Sequence, residues 1–121
     1  KMRKLVILSL GFISCFALAN VEQDNQKLAE NFCYAVQASG SCNDLNMRLD
    51  TEGKVNALVG EEIRKPNGKY SESCFNGLKK ANNDKKLCSN AWKKFGCNGS
   101  VTARLLQTNP FTNKDGAKCT F

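Results

Sequence analysis

The sequence predicts an all-α fold, a small disulfide-stapled helical domain of about five to six helices. Three observations lead to this prediction. Apolar residues recur at helical spacing in two neighbouring segments, 70–78 and 87–95, as they do on the buried faces of amphipathic helices. Cysteines lie beside those apolar positions, at Cys74, Cys88 and Cys97. The chain has seven cysteines in 121 residues, a density typical of small domains whose cores need disulfide support.

The N-terminal segment predicts secretion. Arg3 and Lys4 precede an apolar stretch that runs from residue 5 to residue 18, and small residues close it at the positions that a signal peptidase recognises. The stretch is short for a membrane span, which needs about 20 apolar residues. We therefore expect residues 1–19 to be a removed signal peptide. Residues 20–121 are expected to form a single extracellular domain that does not span a membrane.

The first helix of the mature chain is predicted over residues 21–38. Leu28, Phe32 and Val36 lie on one stripe at helical spacing, and acidic residues lie near the start of the helix, where the helix dipole favours them. The small polar run 39–41 is expected to end this helix.

The middle of the chain predicts a short helical or extended piece over residues 42–49, and the turn 50–53 is expected to begin another helix. The apolar residues at helical spacing predict which side of this helix faces the core. That inward face is expected to comprise Val55, Leu58, Val59 and Ile63.

The second half of the chain predicts three further helices. One runs over about residues 71–81, and the polar run 82–84 both ends it and caps the next, which ends at Gly96. The third is capped by Ser100 and runs through residues 105–106.

Charge is distributed unevenly along the mature chain. Residues 20–63 carry 3 basic and 8 acidic residues, whereas residues 64–94 carry 9 basic and 2 acidic residues. The second segment is either an ordinary solvated surface or a face that binds polyanions by long-range attraction. The candidate polyanion-binding residues are Arg64, Lys65, Lys79, Lys80, Lys85, Lys86, Lys93 and Lys94.

Aromatic residues between positions 70 and 95 are the candidate walls of a small-ligand pocket, although core packing is the more common role of such residues. The candidates are Tyr70, Phe75, Trp92 and Phe95.

The residue types argue against an enzyme. The chain has no histidine, the commonest general base and metal ligand. The adjacent Glu61 and Glu62 point away from each other on a helix, and the run 50–53 lacks the ligand pattern of a calcium loop. The cysteine spacings do not match zinc sites. We expect no catalytic residue, no metal and no cofactor.

Asn98 begins the run Asn-Gly-Ser, the acceptor sequence for N-glycosylation in a secreted chain. Its position close to the predicted start of the last helix is also that of a helix cap.

The segment from Cys42 to residue 98 resembles the insect odorant-binding family. The resemblance rests on the run 43–49 after Cys42, on the acidic turn 50–53, and on the closing sequence CSNAWKKFGC, which looks like the last two cysteines of that family. The spacing of eight residues between Cys33 and Cys42 departs from the family's three. Only about 22 residues of the expected mature chain precede Cys42, so at least one N-terminal helix of the family is expected to be missing or fused.

The resemblance also implies part of the disulfide pairing. Six cysteines remain in the mature chain: Cys33, Cys42, Cys74, Cys88, Cys97 and Cys119. An even set in a secreted chain predicts three disulfide bonds, and the family's pairing implies a bond between the third and fifth of these, Cys74 and Cys97. The other four cysteines then pair in one of two ways. Either Cys33 bonds Cys42 and Cys88 bonds Cys119, or Cys33 bonds Cys88 and Cys42 bonds Cys119. The first is favoured, because residues 33 and 42 are nearly symmetric about the turn 39–41.

A shortened scaffold with an added cysteine is similar to the odorant-binding-like salivary proteins of blood-feeding flies. This resemblance implies a secreted, monomeric effector that modulates haemostasis or immunity. Its expected partners are a host protein, a sulfated polysaccharide or an anionic surface, and no nucleic acid. The alternative is a carrier of a small hydrophobic or biogenic-amine ligand.

Overall fold

The computed structural model describes residues 2–108, with side chains from residue 21 onward. Helices dominate this part of the chain and confirm the all-α class, although it has four helices and not the expected five to six. The elements, in chain order, are α1 (Met2–Ser41), β1 (Leu45–Met47), α2 (Thr51–Val59), α3 (Ser71–Asn82), α4 (Leu87–Phe95) and β2 (Leu106–Thr108). The predicted leader, residues 1–19, and Cys119 lie outside the residues whose side chains are described.

Helix α1 continues through the run 39–41, so the prediction that this run ends the helix was wrong. The Ser39 hydroxyl donates a hydrogen bond of 2.7 Å to the carbonyl oxygen of Val36, a local bond that serine can make without leaving the helix. The backbone N–H of Cys42 still donates to Ala38, at 2.8 Å. Cys33 and Cys42 therefore lie on one continuous helical segment.

Helix α2 begins where the acidic turn predicted it, but its inward face is narrower than expected. Val55 is buried and Val59 is partly buried, whereas Leu58 is 72% exposed. Val55 and Val59 are four residues apart and share the face toward the core, and Leu58 lies outside it. Ile63 is fully buried as predicted, although the helix ends before it, at Gly60 in the left-handed conformation (φ 83°).

Helices α3 and α4 lie close to their predicted bounds. Asp84, in the predicted capping run, accepts a hydrogen bond of 2.9 Å from the backbone N–H of Lys86 just before α4. Helix α4 ends at Gly96, whose N–H donates to the carbonyl oxygen of Trp92 at 2.9 Å. A Cβ at residue 96 would lie 2.6 Å from the Trp92 side chain, so glycine is required there by packing.

The predicted last helix is absent from the described chain. Residues 101–105 form turns, and β2 pairs antiparallel with β1, with Asn46 opposite Gln107. Leu105 and Leu106 are buried as expected. Leu106 is buried in β2, which pairs with β1, and Leu105 is buried in the loop before it, which folds back on the end of α4.

The core contains two disulfide bonds that overturn the expected pairing. Cys33 bonds Cys74, and Cys42 bonds Cys88. Cys97 is also disulfide-bonded, but not to Cys74. Nine residues along a continuous helix separate Cys33 and Cys42 by about 13 Å. The favoured bond between these two is thereby excluded, since bonded cysteines have Cα atoms about 4.4 to 6.8 Å apart.

Helices α1 and α3 approach each other more closely than side chains would permit. Gly77 on α3 is buried, and a Cβ there would lie 2.1 Å from the carbonyl oxygen of Glu30 and 3.0 Å from the backbone nitrogen of Tyr34. The Cys33–Cys74 bond lies one turn away on the same faces of the two helices. Backbone contact and covalent bond together fix the relative position of α1 and α3.

Candidate functional site

The junction of α1, α3 and α4 forms an open cleft of about 740 Å³. The cleft lies beside the close approach at Gly77, since its α3 lining residues flank Gly77 and its other walls come from α1 and α4. Most of its lining residues are lysines, asparagine amides and carboxylates around two buried aromatic rings. The lining comprises Lys27, Glu30, Asn31, Tyr34, Asn76, Lys79, Lys80, Asn83, Asp84, Lys94 and Phe95.

A hydrogen-bond network centred on Asp84 holds the inner wall of the cleft. The Tyr34 hydroxyl donates to the Asp84 carboxylate at 2.5 Å, and the Asn90 amide donates to both carboxylate oxygens, at 3.1 and 3.0 Å. These bonds, that of Tyr34 first, hold the pKa of Asp84 below its usual range. Burial and the bond to Asp84 raise the pKa of Tyr34. The carboxylate is ionised at neutral pH, and α1 is tied to the α3–α4 connection.

Lysines converge on the cleft from three helices. Lys80 forms an ion pair with Glu30 across the α1–α3 junction. The ammonium of Lys94 lies 5.4 Å from the centre of the Tyr34 ring, and that of Lys79 lies 5.2 Å from the centre of the Phe75 ring. Such contacts orient a lysine while leaving its ammonium in water.

Lys27 was missed as a site residue. It lies in the acidic half of the sequence, so the segment charge gave no indication of its role. Lys27, Glu30, Asn31 and Tyr34 recur at helical spacing, a signal that they share one face of α1. That face meets the basic half of the chain where α1 packs on α3, beside the Cys33–Cys74 bond.

Of the eight predicted polyanion-binding residues, the structure brings Lys79, Lys80 and Lys94 together at the cleft. Three more are exposed at the two ends of α4, which places them near that cleft without lining it: Lys85, Lys86 and Lys93. Arg64 and Lys65 belong to a different surface.

Arg64 and Lys65 lie at a separate cleft beside α2, together with the acidic Glu52 and Glu62. Arg64 donates two hydrogen bonds to the Glu52 carboxylate, at 2.8 and 2.6 Å. These hydrogen bonds, and then the opposite charge, lower the pKa of Glu52 and raise that of Arg64. Two cations face two carboxylates at this cleft, so its local charge is close to zero.

The four aromatic pocket candidates occupy different environments. Tyr70 is fully buried in the core, and Trp92 is partly buried against it. Phe95 is buried and contributes to the cleft. Phe75 is 57% exposed and contacts Lys79.

A smaller groove of about 270 Å³ lies between α1, α2 and the loop before β2. Its apolar part is formed by Leu28, Val55, Leu58 and Leu105, and its charged side chains are those of Asp50, Lys54 and Arg104. Sequence reasoning missed this groove, because Leu58 was assigned to the core and residues 100–106 to a helix.

Within the described side chains, no group of three or more histidine, cysteine, aspartate or glutamate residues could hold a metal ion. Nor does any helix of that part of the chain have the length and apolar character needed to cross a membrane. The predicted acceptor Asn98 lies exposed in the turn after α4.

Comparison of the chain with protein-family models, with curated proteins and with solved structures gave no match in any of the three.

Proposed function

We propose that this protein is a secreted effector of the salivary type that binds a polyanionic surface of a host, such as a sulfated polysaccharide, and thereby modulates haemostasis or immunity. The observation that carries the proposal is the convergence of Lys27, Lys79, Lys80 and Lys94 on one open cleft. A dense cluster of cations is needed, because exposed charges act over only about 8 Å at physiological ionic strength.

The arrangement of the carboxylates at the cleft supports an anionic partner. The Glu30 carboxylate forms an ion pair with Lys80. The Asp84 carboxylate accepts hydrogen bonds from Tyr34 and Asn90. Lys27, Lys79 and Lys94 have no ion pair within the described residues, and their ammonium groups can exchange water and counterions for sulfate or phosphate groups. Release of bound counterions from a polyanion is favourable and makes such binding strongly dependent on salt.

A salt titration on immobilised heparin tests this proposal. The variant K79E/K94E reverses two cleft lysines, and the matched control R64E/K65E makes the same change in net charge at the neutral cleft beside α2. We expect K79E/K94E to lower heparin affinity on the order of tenfold or more and to reduce the slope of log affinity against log salt by about two. The control is expected to retain both values.

Each alternative result has a distinct meaning. Equal losses in both variants would show that net charge, and not the cleft, governs binding. Wild-type affinity in both would overturn the polyanion proposal. Circular dichroism of all three proteins confirms that the comparison is made between folded chains.

The smaller groove between α1, α2 and the loop before β2 favours a second candidate function, a carrier of a small apolar ligand. A biogenic amine is less well served, because the carboxylate that lines this groove, that of Asp50, is already paired with Lys54 at 2.7 Å. The test is titration with the neutral apolar dye phenylnaphthylamine. Binding that is lost in L58D but retained in K79E/K94E would support the carrier, and no binding by the wild type would exclude it.

A further inference from the structure

The turn after α4 is held by its backbone and not by its side chains. The N–H of Ser100 donates to the carbonyl oxygen of Lys93 at 3.0 Å, and the N–H of Val101 donates to that of Lys94 at 3.1 Å. A Cβ on Gly99 would lie 2.3 Å from the same Lys94 oxygen. The middle residue of the turn must therefore be glycine for the turn to pack against the end of α4.

Packing of the turn requires glycine at position 99, but it does not require asparagine or serine at the two flanking positions. Asn98 and Ser100 are both exposed, and neither side chain makes a hydrogen bond within the described part of the chain. The helix that they were expected to cap does not form. Their spacing, Asn-Gly-Ser, is the acceptor sequence for N-glycosylation, and it occurs once in the 121 residues.

The disulfide bonds support the compartment that this modification requires. Bonds such as Cys33–Cys74 and Cys42–Cys88 form and persist in oxidising compartments such as the lumen of the endoplasmic reticulum. Transfer of N-linked oligosaccharides takes place in that lumen. The predicted signal peptide would bring the chain there.

We propose that Asn98 carries an N-linked oligosaccharide. The donor is a lipid-diphosphate-linked oligosaccharide of the secretory pathway. The Nδ2 atom of Asn98 forms a bond to the anomeric carbon of the first sugar, and the bond from that carbon to the diphosphate oxygen breaks. The lipid diphosphate leaves with the electron pair, and the amide gives one proton to a base of the transferase. The product leaves the fold unchanged, because the Asn98 side chain has no partner there to lose.

The glycan attaches next to the C-terminal end of α4. Asn98 follows the last turn of α4, whose Lys93 and Lys94 carbonyls hold the turn in place. The opposite end of α4, with Lys85 and Lys86, is separated from Asn98 by the length of the helix, about 13 Å for nine residues. The glycan therefore attaches beside Lys93, at the end of α4 opposite Lys85 and Lys86.

The test is expression of the full chain in cultured insect cells, with intact-mass measurement of the protein in the medium. We expect a mass above that of the polypeptide, which peptide N-glycosidase removes. Release in water enriched in heavy oxygen should convert residue 98 to labelled aspartate, which a peptide map locates. The variants N98Q and S100A should lack the glycan, and S100T should retain it.

N67Q provides the matched control. Asn67 also precedes a glycine in an exposed turn, but the residue two positions on is Lys69 and supplies no hydroxyl. N67Q should therefore keep the added mass. A secreted chain at polypeptide mass, a chain that stays in the cytosol, or an added mass that survives N98Q would each overturn the proposal.

Discussion

The α1–α3 junction and helix α2 are held in very different ways. At the junction, Gly77 brings two backbones into contact and the Cys33–Cys74 bond lies one turn away. In α2, only Thr51 and Val55 are buried, and a Cβ on Gly53 would meet nothing within 4 Å. The candidate polyanion cleft is built on the junction. The difference shows that this fold concentrates its rigidity where the basic side chains converge.

Removal of a single disulfide bond should lower the free energy of unfolding more than any other change considered. The bonds Cys33–Cys74 and Cys42–Cys88 have similar sequence separations of 41 and 46 residues, so each should contribute a similar chain-entropy term. Each double alanine variant should lose about 2 to 5 kcal/mol. C33A/C74A should lose more, because both its sulfurs lie in the core whereas Cys88 is exposed. Urea unfolding followed by circular dichroism measures the difference, and equal losses would mean that the junction has no special role.

Replacing glycine by alanine should change the free energy of unfolding in opposite directions in the two regions. Gly77→Ala has no room for its methyl group and should cost about 1 to 3 kcal/mol or more, as overpacking of a core does. Gly53→Ala, in the open part of α2, should instead stabilise the protein by about 0.5 to 1 kcal/mol, because alanine is the better helix former. Thermal unfolding of the two variants gives both signs. A neutral Gly77→Ala would show that α1 and α3 are not in backbone contact.

The Tyr34–Asp84 bond should make the junction sensitive to acid. The pKa of Asp84 is lowered in the folded protein, so the stability that it contributes is present above the ordinary aspartate value of about 3.9 and is lost as the pH falls through the lower folded value. Tyr34→Phe removes the hydrogen bond that contributes most. Its deficit relative to wild type should shrink below about pH 4, as urea midpoints from neutral to acid pH would reveal.

Tyr70→Phe is the control for this pH dependence. The Tyr70 ring is equally buried, but its hydroxyl makes no hydrogen bond to a carboxylate within the described chain. The difference between this variant and wild type should not change with acid. A parallel change in both tyrosine variants would assign the acid sensitivity to another group.

The smallest effects are expected on α2. Leu58→Ala should change stability by about 0.5 kcal/mol or less, as exposed substitutions do. Val55→Ala, one turn away and buried, should cost more than about 1 kcal/mol. Chemical denaturation distinguishes the two. Equal costs would mean that α2 packs with the broader inward face that the sequence predicted.

The bounds of helices α3 and α4 could be predicted from the sequence, because local interactions determine them. The bounds of α3 and α4 follow from apolar spacing and from the capping run that contains Asp84, both of which lie within a few residues of the helix ends. The run Ser39-Gly40-Ser41 misled because serine and glycine are tolerated in a helix whose neighbours pack well. Local propensity yields there to the tertiary contacts of α1.

The remaining features depend on contacts between distant parts of the chain. The pairing of Cys33 with Cys74 and the pairing of β1 with β2 have no local signature, so neither was predicted. The same limit applies to the cleft. Lys27 belongs to it because α1 packs against α3, which brings one face of the acidic half to the basic half. Segment charge alone does not indicate this packing.

The disulfide arrangement also determines how the protein withstands proteolysis. Both described bonds connect α1, or the residue that follows it, to α3 or α4, so each spans the whole stretch between Cys42 and Cys74. That stretch contains basic residues at which a trypsin-like protease can cut, including the exposed Lys54 and Lys69. A single cut there leaves one covalently joined molecule. Every residue that lines the basic cleft lies outside this stretch, so a nicked chain keeps the cleft on two fragments that separate only after reduction.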